Sequence, residues 1–145
     1  MKKAKIDEVL KYDTIVFGGG IYAQGIAGLS FIKKHIDVLK DKRLFIFCDG
    51  ASPYEEGAIS FIISKYMQEY MKMLPCFYFR GAWDMPNMTF VDRNLCQMLQ
   101  KQVGKKDPAE WEIWEKALME AGTGQYDWTD KEYIKPLIEA INAEQ

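Results

Sequence analysis

Histidine is nearly absent from this chain: His35 is the only one in 145 residues. No grouping of His, Cys, Asp and Glu has metal-ligand spacing, so no metal centre is expected. Cysteine is scarce too. Cys48, Cys76 and Cys96 are odd in number, far apart and without CxxC spacing, which argues against a zinc or redox motif and reads as reduced thiols of a cytoplasmic protein. The formal net charge is only −2 and no basic run interleaves with aromatics, so nucleic acid is not an expected partner. No apolar stretch approaches the ~20 residues of a transmembrane helix, and the lysine-bearing N-terminus lacks the apolar core of a signal peptide. Repeats, linkers and low-complexity segments are missing as well. Apolar side chains are abundant, at 48% with 14% aromatic, in a length that fits one domain over residues 1–145.

Strands and helices alternate over the first two thirds. Residues 13–17 form a short β-branched run that ends in glycine, as a buried strand would. Leu29, Ile32, Ile36 and Leu39 mark one face of a helix over 28–40. The run LFIFC at 44–48 is apolar throughout, as expected of a strand covered on both faces. Ser52-Pro53-Tyr54-Glu55 then starts a long helix whose stripe is Ile59, Ile63, Tyr66, Met67, Tyr70 and Leu74. Pro75 ends it, and CFYFRG at 76–81 is a third strand. The remainder reads as helical: one helix over 90–103, one opened by Asp107-Pro108-Ala109-Glu110, and a last one with Thr129-Asp130-Lys131-Glu132 as a capping box and Ile134, Leu137, Ile138 and Ile141 on its apolar face. Residues 122–126 read as a loop.

This alternation predicts parallel strands with helical crossovers, and in such sheets ligands sit beyond the carboxyl ends of the strands. The loops at 18–28, 49–54 and 81–88 are therefore the candidate site. Gly18 to Ala23 satisfies the dinucleotide pattern G-x-G-x-x-A, but that pattern requires a helix starting at its third small residue. Here the helical stripe begins only at Leu29, and the candidate ribose acid, Asp49, lies 29 residues past Gly20 instead of about 20. A glycine-rich loop carrying Tyr22 suits a flat aromatic ligand better, with backbone groups at the ring's edge and a phenol on its face. A plain connection, with glycines only for turns, is the third reading.

The segments YDTIVFGGGIYAQGIAG, FIKKHIDVLKDKRLFIFCDG, FYFRGAWDMPNMTFVDR and YDWTDKEYIKPLIEAI resemble the flavodoxin-domain group that includes the menaquinone-dependent protoporphyrinogen dehydrogenases. The resemblance implies a flavodoxin-like three-layer α/β/α fold with a parallel sheet and helical C-terminal additions. It implies FMN as cofactor and a flavin-linked electron-transfer or oxidoreductase role. By the same resemblance, Gly18, Gly19, Gly20, Ile21, Tyr22, Ala23, Gln24 and Gly25 line the flavin ring, with Tyr22 stacking on it. Cys48, Asp49, Gly50, Ala51, Ser52 and Tyr54 would line its other edge. The electron partner would be a redox protein, a quinone or another small molecule. The chain starts just before the family's third strand, so the first two strands and the Ser/Thr-rich phosphate loop are expected to be absent, a truncation at the N-terminal side of the sheet. That leaves FMN weakly bound or not bound at all by this chain alone, and exposes an edge strand through which a cofactor-free scaffold could pair as a homo-oligomer. An NAD-dependent enzyme is the remaining alternative.

Other residues have plainer expectations. Cys48 ends a strand like some catalytic nucleophiles, but His35 lies on the preceding helix's outer side, so Cys48 reads as a buried thiol. Trp83, Asp84 and Met85 either border the ligand or form a strand-end turn. Trp111 and Trp114, with Leu118, are expected to pack, and Glu110, Glu112 and Glu115 to form a solvated helix face.

Overall fold

TIVFGGGIY carries no charge, and in the computed structural model of the chain it forms one nine-residue strand, β1 (Thr14–Tyr22). The structure describes residues 5–22, 25–54, 63, 64, 67 and 69–143. The strand expected over 13–17 therefore runs on through three glycines that were assigned to a loop. It then returns as β2 (Gly25–Ile26), antiparallel, with Ile21 opposite Ile26 and Tyr22 opposite Gly25. The physical reason is that these glycines adopt ordinary extended backbone. Among the described glycines only Gly28 and Gly122 have positive φ, at 82° and 51°. Gly28 uses that left-handed conformation to turn the chain into helix α2 (Leu29–Leu39).

Strand β3 (Arg43–Gly50) pairs with β1 in parallel, from Thr14 opposite Arg43 to Gly20 opposite Asp49. Strand β4 (Cys76–Arg80) lies on its other side, giving the order β2-β1-β3-β4. Ile46 N–H donates to the Pro75 carbonyl and the Cys48 thiol to that of Phe77, so the two strands ascend together and this pair is parallel. The alternating mostly parallel architecture anticipated from the sequence is thus present.

The chain divides into two compact units. The first comprises Met1–Asp49, Glu55–Phe79 and Glu132–Gln145. In it, Ile15, Leu44, Ile46, Cys48 and Tyr78 form one face of the sheet and pack with Leu29, Ile32 and Leu39 of α2. The short helix α1 (Ile6–Val9) adds Ile6 and Val9 to this cluster. On the opposite face the Arg43 guanidinium reaches the carbonyl of Ile141 in the last helix, Lys135–Ala143, after donating to Thr14 Oγ1. Of the apolar stripe expected on that helix only Leu137 is fully buried, while Ile134 and Ile138 stay exposed. Most of the helix expected after Ser52 lies outside the described residues, including its Ile59 and Tyr66. Its described part has Met67 N–H donating to Ile63 O and a 3-10 turn over Glu69–Met73.

The second unit comprises Gly50–Tyr54 and Arg80–Lys131. It contains a small antiparallel sheet that the sequence reading missed, β5 (Ala82–Asp84) with β6 (Gln125–Asp127), the latter within the supposed loop 122–126. Three-residue strands with no apolar alternation leave no periodic signal. The helix over Phe90–Val103, here α3, is where it was expected, capped by Thr89. The next one, α4 (Ile113–Ala121), starts later than expected, because Asp107-Pro108 caps only a 3-10 turn over Pro108–Glu110. The Gln100 side-chain amide ties α3 to the carbonyls of Leu118 and Gly122. The last helix of the chain, Lys135–Ala143, is α5.

Candidate functional site

The end of β1 and its return define a hairpin at the carboxyl rim of the sheet, and its glycines fall into two kinds. A Cβ on Gly18 would sit 2.0 Å from Phe47 Cζ, since that ring lies across residue 18 and stacks on Phe79 with centroids 4.9 Å apart. A Cβ on Gly19 would meet the Ala27 carbonyl oxygen at 2.3 Å. These two glycines are required by packing. Gly20 and Gly25 are not: a Cβ on Gly20 would meet only the Asp49 carboxylate, at 3.7 Å, and one on Gly25 nothing within 4 Å.

The register brings Gly19 opposite Cys48 and Gly20 opposite Asp49, so these members of the expected site share one rim. Ile21 is partly exposed there. The expectations for Ala23 and Gln24 fall outside the described residues, as does the Tyr22 side chain. The Asp49 carboxylate is half-buried and makes no hydrogen bond among the described residues. Beside it Cys48 is fully buried, and a hydrogen bond shared with the Cys76 thiol, then burial, push its own thiol far above the usual range. Cys76 is correspondingly held below it. The sequence reading treated the cysteines as unrelated; the parallel pairing of β3 and β4 makes two of them neighbours. His35 instead packs on Phe31, at 4.9 Å between rings, and no Cys–His contact occurs among the described residues.

The remaining predicted site residues belong to the second unit. There the Gly50 carbonyl accepts from Gly81 N–H at 2.8 Å and the Ala51 carbonyl from Arg80 Nε at 3.0 Å. The Arg80 guanidinium stands 4.2 Å over the Trp128 ring, which stacks on Tyr126 with planes 1° apart. Arg80 thus positions the start of the segment carrying Ser52 and Tyr54. Sequence reasoning overlooked it, although a charge ending the apolar run CFYFR was a signal. Tyr54 itself is exposed.

Several expectations of ordinary packing also need correction. Glu115 is not on a solvated face; it is 1% exposed. Because α4 begins at Ile113, Glu115 becomes the third residue of the helix and accepts the Glu112 N–H at 3.0 Å, while Lys106 Nζ lies 2.5 Å from its other oxygen. Trp114 is exposed, its indole donating to Glu112, whereas Trp111 donates to the Val103 carbonyl. Trp83 donates to Gly122 O, Asp84 caps a turn and Met85 is buried, so these three form a strand-end turn. Thr129 is held by the Asp127 carboxylate and is not the cap expected of it; the last helix begins only at Lys135, after a 3-10 turn.

The dinucleotide reading loses its geometry. Gly18 and Gly20 lie inside a strand, and α2 begins at Leu29, beyond a hairpin, so no helix N-terminus follows the fingerprint where a pyrophosphate would need it. No described helix is long and apolar enough to cross a membrane.

A mostly parallel sheet with helices packed against it defines an α/β architecture. Residues 1–110 match the Flavodoxin domain family, and the chain belongs to it. Comparison with curated proteins and with solved structures returned no match.

Proposed function

We propose that this chain is a flavin-linked redox domain that takes the FMN ring at the rim formed by the β1–β2 hairpin and the end of β3. The observation that carries this reading is the glycine contrast. Gly18 and Gly19 are explained by packing; a Cβ would fit at Gly20, in ordinary contact with Asp49, and at Gly25, in open space, and neither has a backbone need for glycine, which suits the close approach of a planar ligand to the main chain. Family membership supports the choice of FMN among planar ligands.

The ring would rest against Gly20, Ile21, Tyr22 and Gly25. Asp49, which makes no hydrogen bond among the described residues, is suited to accept a ring N–H and to place a negative charge at the ring's edge. Cys48 stays protonated, its thiol donating to the Phe77 carbonyl, and takes no nucleophilic part. Bound FMN supplies one- and two-electron transfer; the protein supplies orientation and local charge. No phosphate site is assigned among these residues. Each charge-assisted phosphate bond forgone weakens binding by roughly 1.5–3 kcal/mol, so the proposed affinity is low. The partner in electron transfer is a redox protein, a quinone or another small molecule.

Titration of the chain into FMN, followed by flavin fluorescence, tests the reading. Saturable quenching is expected, unaffected by NAD(H) and weakened by Gly20→Ala or Gly25→Ala. Replacing Asp49→Asn should raise the midpoint potential of the bound flavin, since a neutral side chain no longer opposes added electrons. Quenching that is absent at high FMN, or unchanged in the glycine variants, refutes it.

A further inference from the structure

The parallel ladder divides the backbone of β1 into two sets. Arg43 N–H donates to Asp13 O at 2.9 Å, and with Thr14 opposite Arg43 this turns the N–H and C=O groups of Ile15, Phe17 and Gly19 toward β3. Those of Thr14, Val16 and Gly18 point the other way. Gly20, next in that outward set, already gives its carbonyl to Ala27 N–H at 2.8 Å, and Tyr22 pairs with Gly25. The hairpin therefore caps the outer edge from Gly20 onward. Thr14, Val16 and Gly18 have no backbone partner there among the described residues.

This open window has an odd number of outward residues, with Val16 at its centre, and so it is self-complementary. A second copy running antiparallel, with the two-fold axis at Val16, pairs Thr14 with Gly18 of the other copy, Val16 with Val16, and Gly18 with Thr14. Each pair exchanges both backbone bonds, so every free group in the window is used. Any other antiparallel register leaves some of them unpaired. The side chains agree: Val16 is 42% exposed and would meet its equivalent, and each Thr14 would face a glycine. The strand also lacks the devices that keep edges apart, having no charge, no proline and no bulge between Thr14 and Tyr22. We infer that this chain forms a two-fold dimer through antiparallel β1–β1 pairing centred on Val16, which joins the two sheets into one continuous sheet. The contact closes on itself, as two-fold interfaces do. It does not depend on flavin binding.

Sedimentation equilibrium of the full chain over a wide concentration range, combined with amide hydrogen exchange, tests the inference. The apparent mass is expected to rise from 16.8 kDa toward twice that value. Protection at Val16 and Gly18 should rise with it, while Ile15, Phe17 and Gly19 are protected throughout. Val16→Pro removes an outward N–H and none that bonds β3, so it should keep the native circular dichroism and remain monomeric. Val16→Lys retains the N–H but sets two like charges face to face, and should also be monomeric. A chain monomeric at every concentration overturns the inference. So does a dimer that survives both substitutions, or protection at Val16 that does not change with concentration.

Discussion

Replacing Gly18 by alanine asks whether the first glycine of the triplet exists for packing. The added methyl would stand 2.0 Å from Phe47 Cζ and 2.4 Å from Cε1. Carbon atoms rest about 3.5–4.0 Å apart, so the ring must move by roughly 1.5 Å or more. It is not free to do so, because it stacks on Phe79 at 4.9 Å with planes 24° apart. Overpacking of this kind costs about 1–3 kcal/mol, and disturbing the ring pair adds some part of ~0.5–1.5 kcal/mol. A loss of about 2–3 kcal/mol corresponds to a fall in Tm of roughly 5–10 °C in a chain of this size. Gly25→Ala is the control. Its Cβ meets nothing within 4 Å and its φ is not positive, so the substitution acts on the unfolded chain and should stabilise by about 0.4–1 kcal/mol. Thermal unfolding followed by circular dichroism measures both, and FMN titration of the same samples separates packing from binding. Equal destabilisation by the two substitutions, or an unchanged Tm in Gly18→Ala, would refute the division of the glycines into two kinds.

Three further outcomes are expected. In alkylation followed by peptide mass spectrometry, Cys76 should react first, because it is only partly buried and the neighbouring Cys48 side chain holds its pKa below the usual range. Cys96, raised chiefly by burial, should follow and Cys48 come last; mild oxidation should leave Cys48 and Cys76 unbridged, since two residues of offset between adjacent strands puts their Cα atoms about 8 Å apart. Hydrogen bonds donated by the Lys106 ammonium and by the Glu112 N–H hold the Glu115 carboxyl below the usual carboxylate range. Its stabilising effect is therefore present above about pH 4.3 and lost as pH falls through the lowered folded value. For Lys106, raised by Glu115, the effect is present below about pH 10.4 and lost above the raised value. The Tm difference between wild type and Glu115→Gln should be flat between these limits and shrink below pH 4; a difference independent of pH would contradict the pairing. Finally, Arg80→Met should free the Ala51 carbonyl and the face of Trp128. A stability loss of about 1–2 kcal/mol is expected, with faster amide exchange near Ser52 and a changed tryptophan emission; unaltered exchange there would show that Arg80 does not position that segment.

The sequence by itself determined the alternation of the strands β1, β3 and β4 with helices and the burial of LFIFC on both faces. Those rest on periodicity, which is local: Leu29, Ile32 and Leu39 recur with the helical turn, and LFIFC is apolar because both of its faces are covered. The short β5–β6 pair has no such period and could not be read. Tertiary structure alone decided what individual residues are for. Gly18 and Gly20 are chemically identical and two positions apart, yet one lies beneath the Phe47 ring and the other has room for a Cβ beside Asp49. Glu115 is buried because α4 begins at Ile113, Cys48 meets Cys76 because β3 and β4 run side by side, and Val16 has no strand on its outer side among the described residues because β2 stops short of it. In each case the deciding neighbour comes from elsewhere in the chain or from where an element ends, and contact distances of a few ångströms exist only once strands have paired and helices have packed.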